Sequence, residues 1–371
     1  MNTNNLKNKY LNFYSDCIPV KGYLNSAIYD LTRQEIVKIP NDYYDLIQYA
    51  KTTNIGEILS GISDSDSKQN ILEFLAFLDD NEFVNFSIKP DILLQLNQKW
   101  ERPCYIQSAI VDVKSLNHDF EEIIFQLDSL GCEMIQLRYF SNDVEIESIK
   151  GVLETIYDTS IQGVEIVVCF NPKLKHQDYV LLMEEESLIS KLTIHSAKFD
   201  DEIITTFGEK KSKATLKKNI SFLKQKINSH QHCGQINVKS INTPTAQLFL
   251  ENKSFNGCLN KKISIDIDGM IKNCPSMSDS YGHYKDTEFA SVLKIKEFKD
   301  KWHIKKDDIL VCKDCEFRYA CTDCRAYLSD PQDELSKPLK CGYNPYEGKW
   351  SDWRNNPENS IALKYYSEPN K

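Results

Sequence analysis

The sequence predicts an α/β protein with a cysteine-rich region near its carboxyl terminus, and two observations lead to this class. Between residues 103 and 240, apolar runs of strand length alternate with amphipathic stretches of helix length, as in parallel sheets covered by helices. Most of the 12 cysteines lie in the last third of the chain, which indicates a dedicated metal-binding domain. A chain of 371 residues with 41% hydrophobic residues can bury a core in two or three domains.

Residues 1–98 are predicted to form a winged-helix-like domain, because three strands are followed by three helices. The predicted strands are YLNFYSDCIPV, SAIYDL and EIVKIP. The predicted helices are DYYDLIQYAK, IGEILSGI and SKQNILEFLAFLDDNEF. In the last helix, apolar residues recur at helical spacing and give the helix one apolar face: Ile71, Phe74, Leu75 and Leu78.

Residues 99–254 are predicted to form a partial (β/α) barrel. The predicted strands are PCYIQSAIVDV, CEMIQLRYF, GVEIVVCF and KLTIHSA. The helices predicted between them are HDFEEIIFQLDSLG, VEIESIKGVLETIYD and HQDYVLLMEEESLIS. After Ala197 the alternation weakens, and the lysine-rich stretch 209–227 is compatible with either a helix or a strand.

Residues 255–345 are predicted to form the cysteine-rich domain. Its first segment, KKISIDIDGMIKNC, has alternating isoleucines around the turn sequence DIDG and predicts a hairpin. The tail, residues 346–371, has no strong periodicity, and we expect it either to pack through Trp350 and Trp353 or to fray.

Charge and hydropathy exclude two classes of partner. The net charge of −9 and the pI near 5.4 argue against nucleic acid, which requires a cationic surface. The amino-terminal stretch lacks the apolar core of a signal peptide, and no apolar run reaches the ~18 residues of a membrane helix. We therefore expect a cytoplasmic protein without a membrane partner. Cytoplasmic thiols stay reduced, so these cysteines predict metal binding rather than disulfides.

The stretch CKDCEFRYACTDC, residues 312–324, holds the densest group of cysteines. A zinc ribbon separates its two Cys-x2-Cys pairs by about fifteen residues or more. Here only five residues separate Cys315 from Cys321. Iron–sulfur clusters commonly take several thiolates from one tight loop and another from a distant position, such as Cys341. The spacing favours iron–sulfur clusters over the alternative, zinc, and the seven clustered cysteines indicate two sites. The isolated Cys17, Cys104, Cys132 and Cys169 are interpreted as small buried hydrophobic residues.

The order of these cysteines resembles the SPASM domain, a carboxyl-terminal extension of many radical SAM peptide-modifying enzymes. The pattern is Cys258-x10-Gly269-x4-Cys274, then Cys312-x2-Cys315-x5-Cys321-x2-Cys324, then Cys341. The resemblance implies one or two auxiliary [4Fe-4S] clusters. The first would be held by Cys312, Cys315, Cys321 and Cys341. The second would be held by Cys258, Cys274 and Cys324.

The second cluster is one ligand short. The last spacing is x2 where the SPASM family usually has x3, and no cysteine lies just upstream of Cys258. The second cluster therefore has either an open coordination site or an unexpected ligand. Cys233, between histidines in HQHCGQI, is the candidate, and its alternative role is structural.

Radical SAM enzymes carry Cys-x3-Cys-x2-Cys after the first barrel strand, and this sequence does not. The strand AIVDV runs through KSLNHD into a helix, and the next strand is followed by LRYFSND, without a glycine-rich loop. The resemblance therefore implies a radical-SAM-like barrel that has lost its reaction centre. We do not expect S-adenosylmethionine as a cofactor.

Taken together, the chain resembles the grasp-with-spasm peptide maturation proteins, and its first domain resembles the peptide-recognition domains of ribosomal-peptide systems. The resemblance implies two partners, a ribosomal precursor peptide and an ATP-grasp ligase. The chain has no Gly-rich phosphate loop, so ATP chemistry is expected in the ligase. The peptide would add a strand beside residues 36–39, with the helix of residues 70–79 nearby. The peptide-binding candidates are Ile36, Val37, Ile39 and Phe74. The alternative is a purely structural wing.

Three functions remain open from the sequence. The first is an iron–sulfur peptide-maturation factor that presents the precursor to the ligase, the second an enzyme that uses the open iron of the three-cysteine site. The third is a structural or adaptor protein stabilised by zinc or iron–sulfur groups.

His195 ends a strand where barrel enzymes place catalytic residues, or it is a core histidine. Asp112, Arg138 and Asp143 are in similar positions, and Arg138 is a candidate for binding a peptide carboxylate.

Overall fold

The computed structural model describes residues 6–90, 93, 96–97, 99–114, 118–207, 216–241 and 244–367. Parts of three segments considered above lie outside these residues: 115–117 of the loop KSLNHD, 209–215 of the lysine-rich stretch and 368–371 of the tail. The chain divides into two compact units. The first unit contains Met1–Trp100, Gln235–Gly257 and Ile304–Lys371, and the second contains Glu101–Gly234 and Cys258–His303. The cysteine-rich stretch 255–345 is thus shared between the two units.

The described strands and helices follow in chain order. The strands are β1 (Tyr10–Phe13), β2 (Cys17–Val20), β3 (Asn25–Asp30), β4 (Glu35–Pro40), β5 (Val84–Ser87), β6 (Ser108–Val113), β7 (Met134–Tyr139), β8 (Gly163–Cys169), β9 (Ile189–His195), β10 (Asp201–Phe207), β11 (Leu216–Phe222), β12 (Lys262–Ile265), β13 (Ile271–Lys272), β14 (Tyr343–Asn344) and β15 (Lys349–Trp350). The helices are α1 (Asn41–Ala50), α2 (Ile55–Ser60), α3 (Ser65–Asp80), α4 (Phe120–Ser129), α5 (Ile146–Glu154), α6 (His176–Glu185), α7 (Ala246–Ser254), α8 (Phe289–Val292), α9 (Lys296–Lys299) and α10 (Ser360–Ser367).

The second unit is built on a large, mostly parallel sheet with the strand order β10-β11-β9-β8-β7-β6-β12-β13. Strands β6 to β9 are parallel neighbours, and α4, α5 and α6 connect them. The predicted α/β class with parallel strands is therefore confirmed. Each of these helices buries an apolar face, and α4 also has a side-chain cap at its start. In α4, for example, the carboxylate of Asp119 accepts the amide of Glu122, and Ile123 and Leu127 are buried in the core.

Two segments join this sheet where the sequence did not indicate it. The predicted hairpin at residues 261–274 is present, but β12 also pairs in parallel with β6, so the hairpin belongs to the second unit. Gly269 allows its turn, since φ is +80° there. Part of the unassigned lysine-rich stretch is β11, which pairs with β9 and buries Ile220 and Phe222. Lys218 is buried because its ammonium group donates to the carbonyls of Met183 and Glu186.

In the first unit, the predicted strand over residues 10–20 is wrong, because the chain turns between β1 and β2. The amide of Cys17 donates to the carbonyl of Tyr14 at this turn. As a result β1 pairs with β5, a strand the sequence did not predict, whereas β2, β3 and β4 form a separate sheet. The three predicted helices follow as α1, α2 and α3, and their apolar residues form one buried cluster with β1 and β5.

The tail is folded over its described residues. Strand β15 pairs with β14, which places the ring of Trp350 4.9 Å from the ring of Tyr343. Helix α10 follows, and Trp353 packs against a small buried cluster that contains Ala362 of this helix. Among the described helices, none is long and apolar enough to cross a membrane.

Candidate metal centres

Four cysteines of the first unit line a single pocket, which we call the four-cysteine pocket. The cysteines are Cys312, Cys315, Cys321 and Cys341. Their neighbours in the lining include three cations, Lys306, Arg318 and Lys337. Cys312 and Cys321 are buried, and the other two are partly buried. The structure thus brings together the four residues that the SPASM resemblance assigns to one cluster.

Local backbone structure positions each of these thiols. Residues Cys312–Asp314 form a single 3₁₀ turn, closed by the amide of Cys315 donating to the carbonyl of Cys312 at 3.0 Å. The other two cysteines are fixed by a segment from the middle of the chain. Ile241 pairs with Cys321, and Ile236 pairs with Cys341, through isolated β-bridges. The pocket therefore depends on contacts between residues far apart in sequence.

The separation of the sulfur atoms distinguishes between a single metal ion and a larger group. Around one tetrahedral zinc ion, with Zn–S bonds of about 2.3 Å, thiolate sulfurs lie about 3.8 Å apart. No three of the sulfur atoms in the four-cysteine pocket lie within 4.8 Å of one another. This spacing favours a larger cluster in which each thiolate binds a different metal atom. The four-thiolate donor set fits a [4Fe-4S] cluster.

Burial favours the protonated form of three of these thiols, Cys312, Cys315 and Cys321. Burial raises the pKa of Cys312 to about 11 and that of Cys321 to about 12, although nearby Lys306 opposes the effect at both. Burial also raises the pKa of Cys315 well above its usual range. The amide of Phe317 donates to Sγ of Cys315 at 3.4 Å, a contact that stabilises a thiolate. Any metal that binds here must displace the thiol protons.

A buried group of charges lies beside the pocket, and the sequence did not single it out. Nζ of Lys306 lies 3.8 Å from Sγ of Cys321 and 3.3 Å from the carboxylate of Asp323. The same carboxylate is 2.6 Å from Nε of Arg325 and accepts a hydrogen bond from Asn256 at 2.6 Å. Burial opposes ionisation of Asp323, but the two cations outweigh it and lower the pKa of this carboxyl. Lys306 therefore carries a fixed positive charge next to one thiol.

The second unit holds another group of thiols: Cys233, Cys258 and Cys274. These three are close enough to interact electrostatically. Burial raises the pKa of Cys274 to about 12, and charges on Cys258 and Cys233 add to the effect. Nζ of Lys262 lies 3.7 Å from Sγ of Cys258. As in the four-cysteine pocket, the three sulfur atoms do not all lie within 4.8 Å of one another. Cys233 is thus placed near the two cysteines for which the sequence proposed it as a ligand.

The remaining cysteine of the predicted second cluster belongs to the first unit. Cys324 is buried and packs in a cluster with Tyr327, Leu339 and Ala362. Cys17, Cys132 and Cys169 are buried, as expected for isolated cysteines, whereas Cys104 is partly exposed.

A third group, Asp16, Cys17 and Asp30, does bring three potential ligand atoms within 4.8 Å of one another. However, Asp30 already accepts hydrogen bonds from the amides of Thr32 and Arg33 and is paired with the Arg33 guanidinium at 2.8 Å. Burial raises the pKa of Cys17 to about 12, with a further contribution from the two carboxylates. These interactions account for the group without a metal.

Three of the four polar residues that the sequence placed near strand ends have structural partners. Arg138 donates two hydrogen bonds to Asp112 at 2.6 and 2.8 Å, and both side chains are buried. Arg138 was considered as a residue that binds a carboxylate of the peptide. Its guanidinium is already paired with a carboxylate of the protein itself, that of Asp112. His195 is buried, and its Nδ1 lies 3.3 Å from the amide of Ile227, so it is placed as a core histidine. Asp143 is exposed.

The four peptide-binding candidates differ in accessibility. Ile36 and Val37 on β4 are partly exposed. Ile39 is buried, and so is Phe74, whose ring stacks on Tyr43 at 4.0 Å. Strand β4 is at one edge of its three-stranded sheet, where its only strand partner among the described residues is β3. A peptide strand would form hydrogen bonds with the main chain of β4. Ile39 and Phe74 are buried, so they would support β4 from the core rather than contact the peptide directly.

Comparisons with known proteins give little further information. No family model matches the chain, and no curated protein matches it. Among solved structures, the chain is similar to Streptococcus suis SuiB bound to S-adenosylmethionine, with 10% sequence identity and a TM-score of 0.32. The match covers 88% of this chain and 98% of the SuiB chain. A TM-score of this size does not establish a shared fold.

Proposed function

We propose that this chain is an iron–sulfur protein that acts in the maturation of a ribosomally made peptide. The observation that carries the iron–sulfur proposal is the four-cysteine pocket. Its four thiols come from one unit and converge on one space, yet no three of their sulfur atoms lie within 4.8 Å of one another, whereas around a single zinc ion they would lie about 3.8 Å apart. Zinc in a structural role is the alternative that this spacing disfavours.

The residues of this chain would hold two clusters. Cys312, Cys315, Cys321 and Cys341 would bind the first. Cys258 and Cys274 would bind the second, with Cys233 of the same unit as the candidate for a further ligand. When bound, a [4Fe-4S] cluster supplies electron transfer or an open iron for substrate. The sequence lacks the Cys-x3-Cys-x2-Cys motif, so we do not propose S-adenosylmethionine as a cofactor.

The peptide-maturation proposal rests on the SPASM resemblance and on the edge position of β4 in the described part of its sheet. An extended peptide that pairs with this edge gains main-chain hydrogen bonds, while side-chain contacts select its sequence. We infer that the precursor peptide binds beside Ile36 and Val37, and that an ATP-grasp ligase modifies it. Both partners point to the cytoplasm, and neither nucleic acid nor membrane is among the proposed partners.

Cluster content can be tested by anaerobic reconstitution followed by iron and sulfide analysis and Mössbauer spectroscopy. We expect about four iron atoms for each occupied site, with the spectrum of [4Fe-4S] clusters. The Cys321→Ser variant should lose about four of these iron atoms, because it removes one thiolate of the first site. Cys132→Ser is the matched control, since Cys132 is buried but lies in neither group. Two zinc ions and no iron would contradict the proposal.

The peptide-maturation part has a separate test. The purified chain should capture both a candidate precursor peptide and a candidate ATP-grasp ligase, whether or not the clusters are loaded. If neither is captured, the cluster proposal still stands, but the assignment to peptide maturation does not.

A further inference from the structure

A second pocket, in the second unit, is unrelated to the cysteine groups. Its volume is about 650 Å³, within the range of ordinary small-molecule sites. We call it the basic pocket, because its lining includes four cations: Arg102, Lys261, Lys294 and Lys299. The rest of the lining is largely apolar and includes Tyr105, Leu130, Leu293 and Trp302. Such a concentration of positive charge is unusual in a chain whose net charge is −9.

Two of these four cations form no ion pair with the described residues. Arg102 pairs with Glu133 at 3.1 Å, a contact that uses one of its terminal nitrogens. The ammonium group of Lys261 donates to the carbonyls of Arg102 and Cys104, at 2.8 and 2.5 Å, and is held in place by them. Neither Lys294 nor Lys299 forms an ion pair with any residue that the structure describes. The basic pocket therefore keeps an excess of positive charge.

Two buried donors in the lining also lack hydrogen-bond partners. They are the indole N–H of Trp302 and Nε of Arg102, which have no partner in the described part of the chain. Leaving a buried donor unsatisfied costs about 1–3 kcal/mol, so native proteins seldom do so. An anion bound in the basic pocket would accept hydrogen bonds from both donors.

The flat, apolar part of the lining adds a second requirement on the ligand. The ring of Tyr105 is 71% exposed, although the residue lies directly beside the pocket. An exposed ring can contact a planar group by offset stacking. Leu293 and Leu130 extend the apolar surface. The lining thus combines positive charge with a surface suited to a ring.

The position of the basic pocket separates it from the edge of the sheet where barrel enzymes usually act. Arg102 and Tyr105 precede β6, and Lys261 directly precedes β12, the parallel neighbour of β6. The pocket is therefore at the amino-terminal ends of these strands. Catalytic residues of barrel enzymes come from the carboxyl-terminal ends.

We propose that the basic pocket binds a small organic anion, one in which a carboxylate or phosphate group is joined to a flat ring. Lys294, Lys299 and Arg102 attract the acidic group, and Tyr105 contacts the ring. This site is independent of the iron–sulfur clusters and of the peptide edge at β4.

Two fluorescent probes test the charge requirement in the full-length protein. One is 8-anilinonaphthalene-1-sulfonate, an aromatic anion, and the other is N-phenyl-1-naphthylamine, which has the same rings without the sulfonate. The anionic probe should bind at least about tenfold more tightly than the neutral one. Lys299→Glu should weaken binding of the anionic probe about fivefold or more and change binding of the neutral probe less than twofold.

Lys296→Glu is the matched control, because Lys296 is on the same helix, α9, is exposed, and does not line the basic pocket. It makes the same change in net charge and should leave both affinities unchanged. If the two variants weaken the anionic probe equally, or if both probes bind wild-type protein equally well, the proposal is wrong. Thermal unfolding checks that Lys299→Glu is folded, and Lys299→Ala replaces it if it is not.

The location and the acidic group are tested by protection and competition. Cys104 lines the basic pocket and is partly exposed, so its alkylation by iodoacetamide can be followed by peptide mass spectrometry. The anionic probe should slow this alkylation in wild-type protein but not in Lys299→Glu. Displacement of the probe by adenosine monophosphate indicates a phosphate ligand, and displacement by indole-3-acetate a carboxylate ligand. Absence of protection, or of displacement by either compound, would overturn the proposal.

Discussion

Arg138 and Asp112 form a buried ion pair at directly opposite positions of the parallel strands β7 and β6. Burial raises the pKa of Asp112, and the two hydrogen bonds from the guanidinium oppose that effect. A pair of this kind contributes little net stability when it is replaced as a whole. Removing one partner is different, because the other charge remains buried and unpaired.

We expect Arg138→Met to lower the free energy of unfolding by about 3–5 kcal/mol, since it leaves the Asp112 carboxylate without its partner. The double variant Asp112→Leu/Arg138→Met should be more stable than Arg138→Met, because no unpaired charge remains. Urea denaturation of the two variants and of wild type measures the coupling. Equal stability of the single and double variants would show that the pair is not buried as described.

His195 gives the protein a component of acid sensitivity. Burial lowers the pKa of its imidazole below the ordinary value of 6.5. The unfolded chain therefore takes up a proton near pH 6.5 while the folded chain does not, so this contribution to stability is lost as the pH falls. When the pH falls from 7.5 to 5, the free energy of unfolding should decrease in both proteins. We expect this decrease to be about 1 kcal/mol smaller in His195→Asn than in wild type. Urea denaturation at both pH values measures the difference, and an equal loss in both proteins would contradict it.

At the scale of single elements, strand β4 is where we expect the precursor peptide. A peptide strand paired with β4 would protect its amides, because they would become hydrogen bonded. Hydrogen exchange within residues 35–40 should therefore slow when the precursor is added. Exchange in α1, which follows β4 directly, should change little, and a scrambled peptide should have no effect on either element. Protection confined to residues outside the first unit would place the peptide elsewhere.

The elements that the sequence predicted well are those with a local pattern. Helices α4 to α6 and strands β6 to β9 each bury one apolar face or a whole apolar run, and that periodicity is visible without the fold. The parallel pairing of β12 with β6 joins residues about 150 positions apart, for example Ser264 and Ile110, and leaves no such pattern. The turn between β1 and β2 was missed for a similar reason, because β1 pairs with the distant β5.

The candidate site was predictable to the same extent. The spacing of Cys312, Cys315 and Cys321 indicated a shared site, and the structure places these residues around one pocket. Lys306 and Asp323 could not be identified, because buried charges look like surface charges in a sequence that is 27% charged. Only the fold shows that Lys306 is buried next to a thiol.

At the scale of the whole molecule, the first unit is assembled from three separate segments of chain. The middle segment, Gln235–Gly257, reaches the four-cysteine pocket through the bridges of Ile236 to Cys341 and of Ile241 to Cys321. A cluster bound to the four thiols would close long chain loops and stabilise these bridges. The second unit has its own thiol group, so each cluster should stabilise the unit that binds it.

This difference predicts opposite effects of two cysteine variants in the reconstituted protein. Cys321→Ser should speed hydrogen exchange at residues 236–241 by at least about tenfold, because the bridges lose the cluster that holds Cys321 and Cys341. It should leave the β12–β13 hairpin unchanged. Cys274→Ser should have the reverse effect, since Cys274 lies at the end of that hairpin, two residues after β13. Cys132→Ser is the control for loss of a buried thiol and should affect neither region. If both variants loosened both regions equally, the clusters would stabilise the chain as a single folding unit rather than separately.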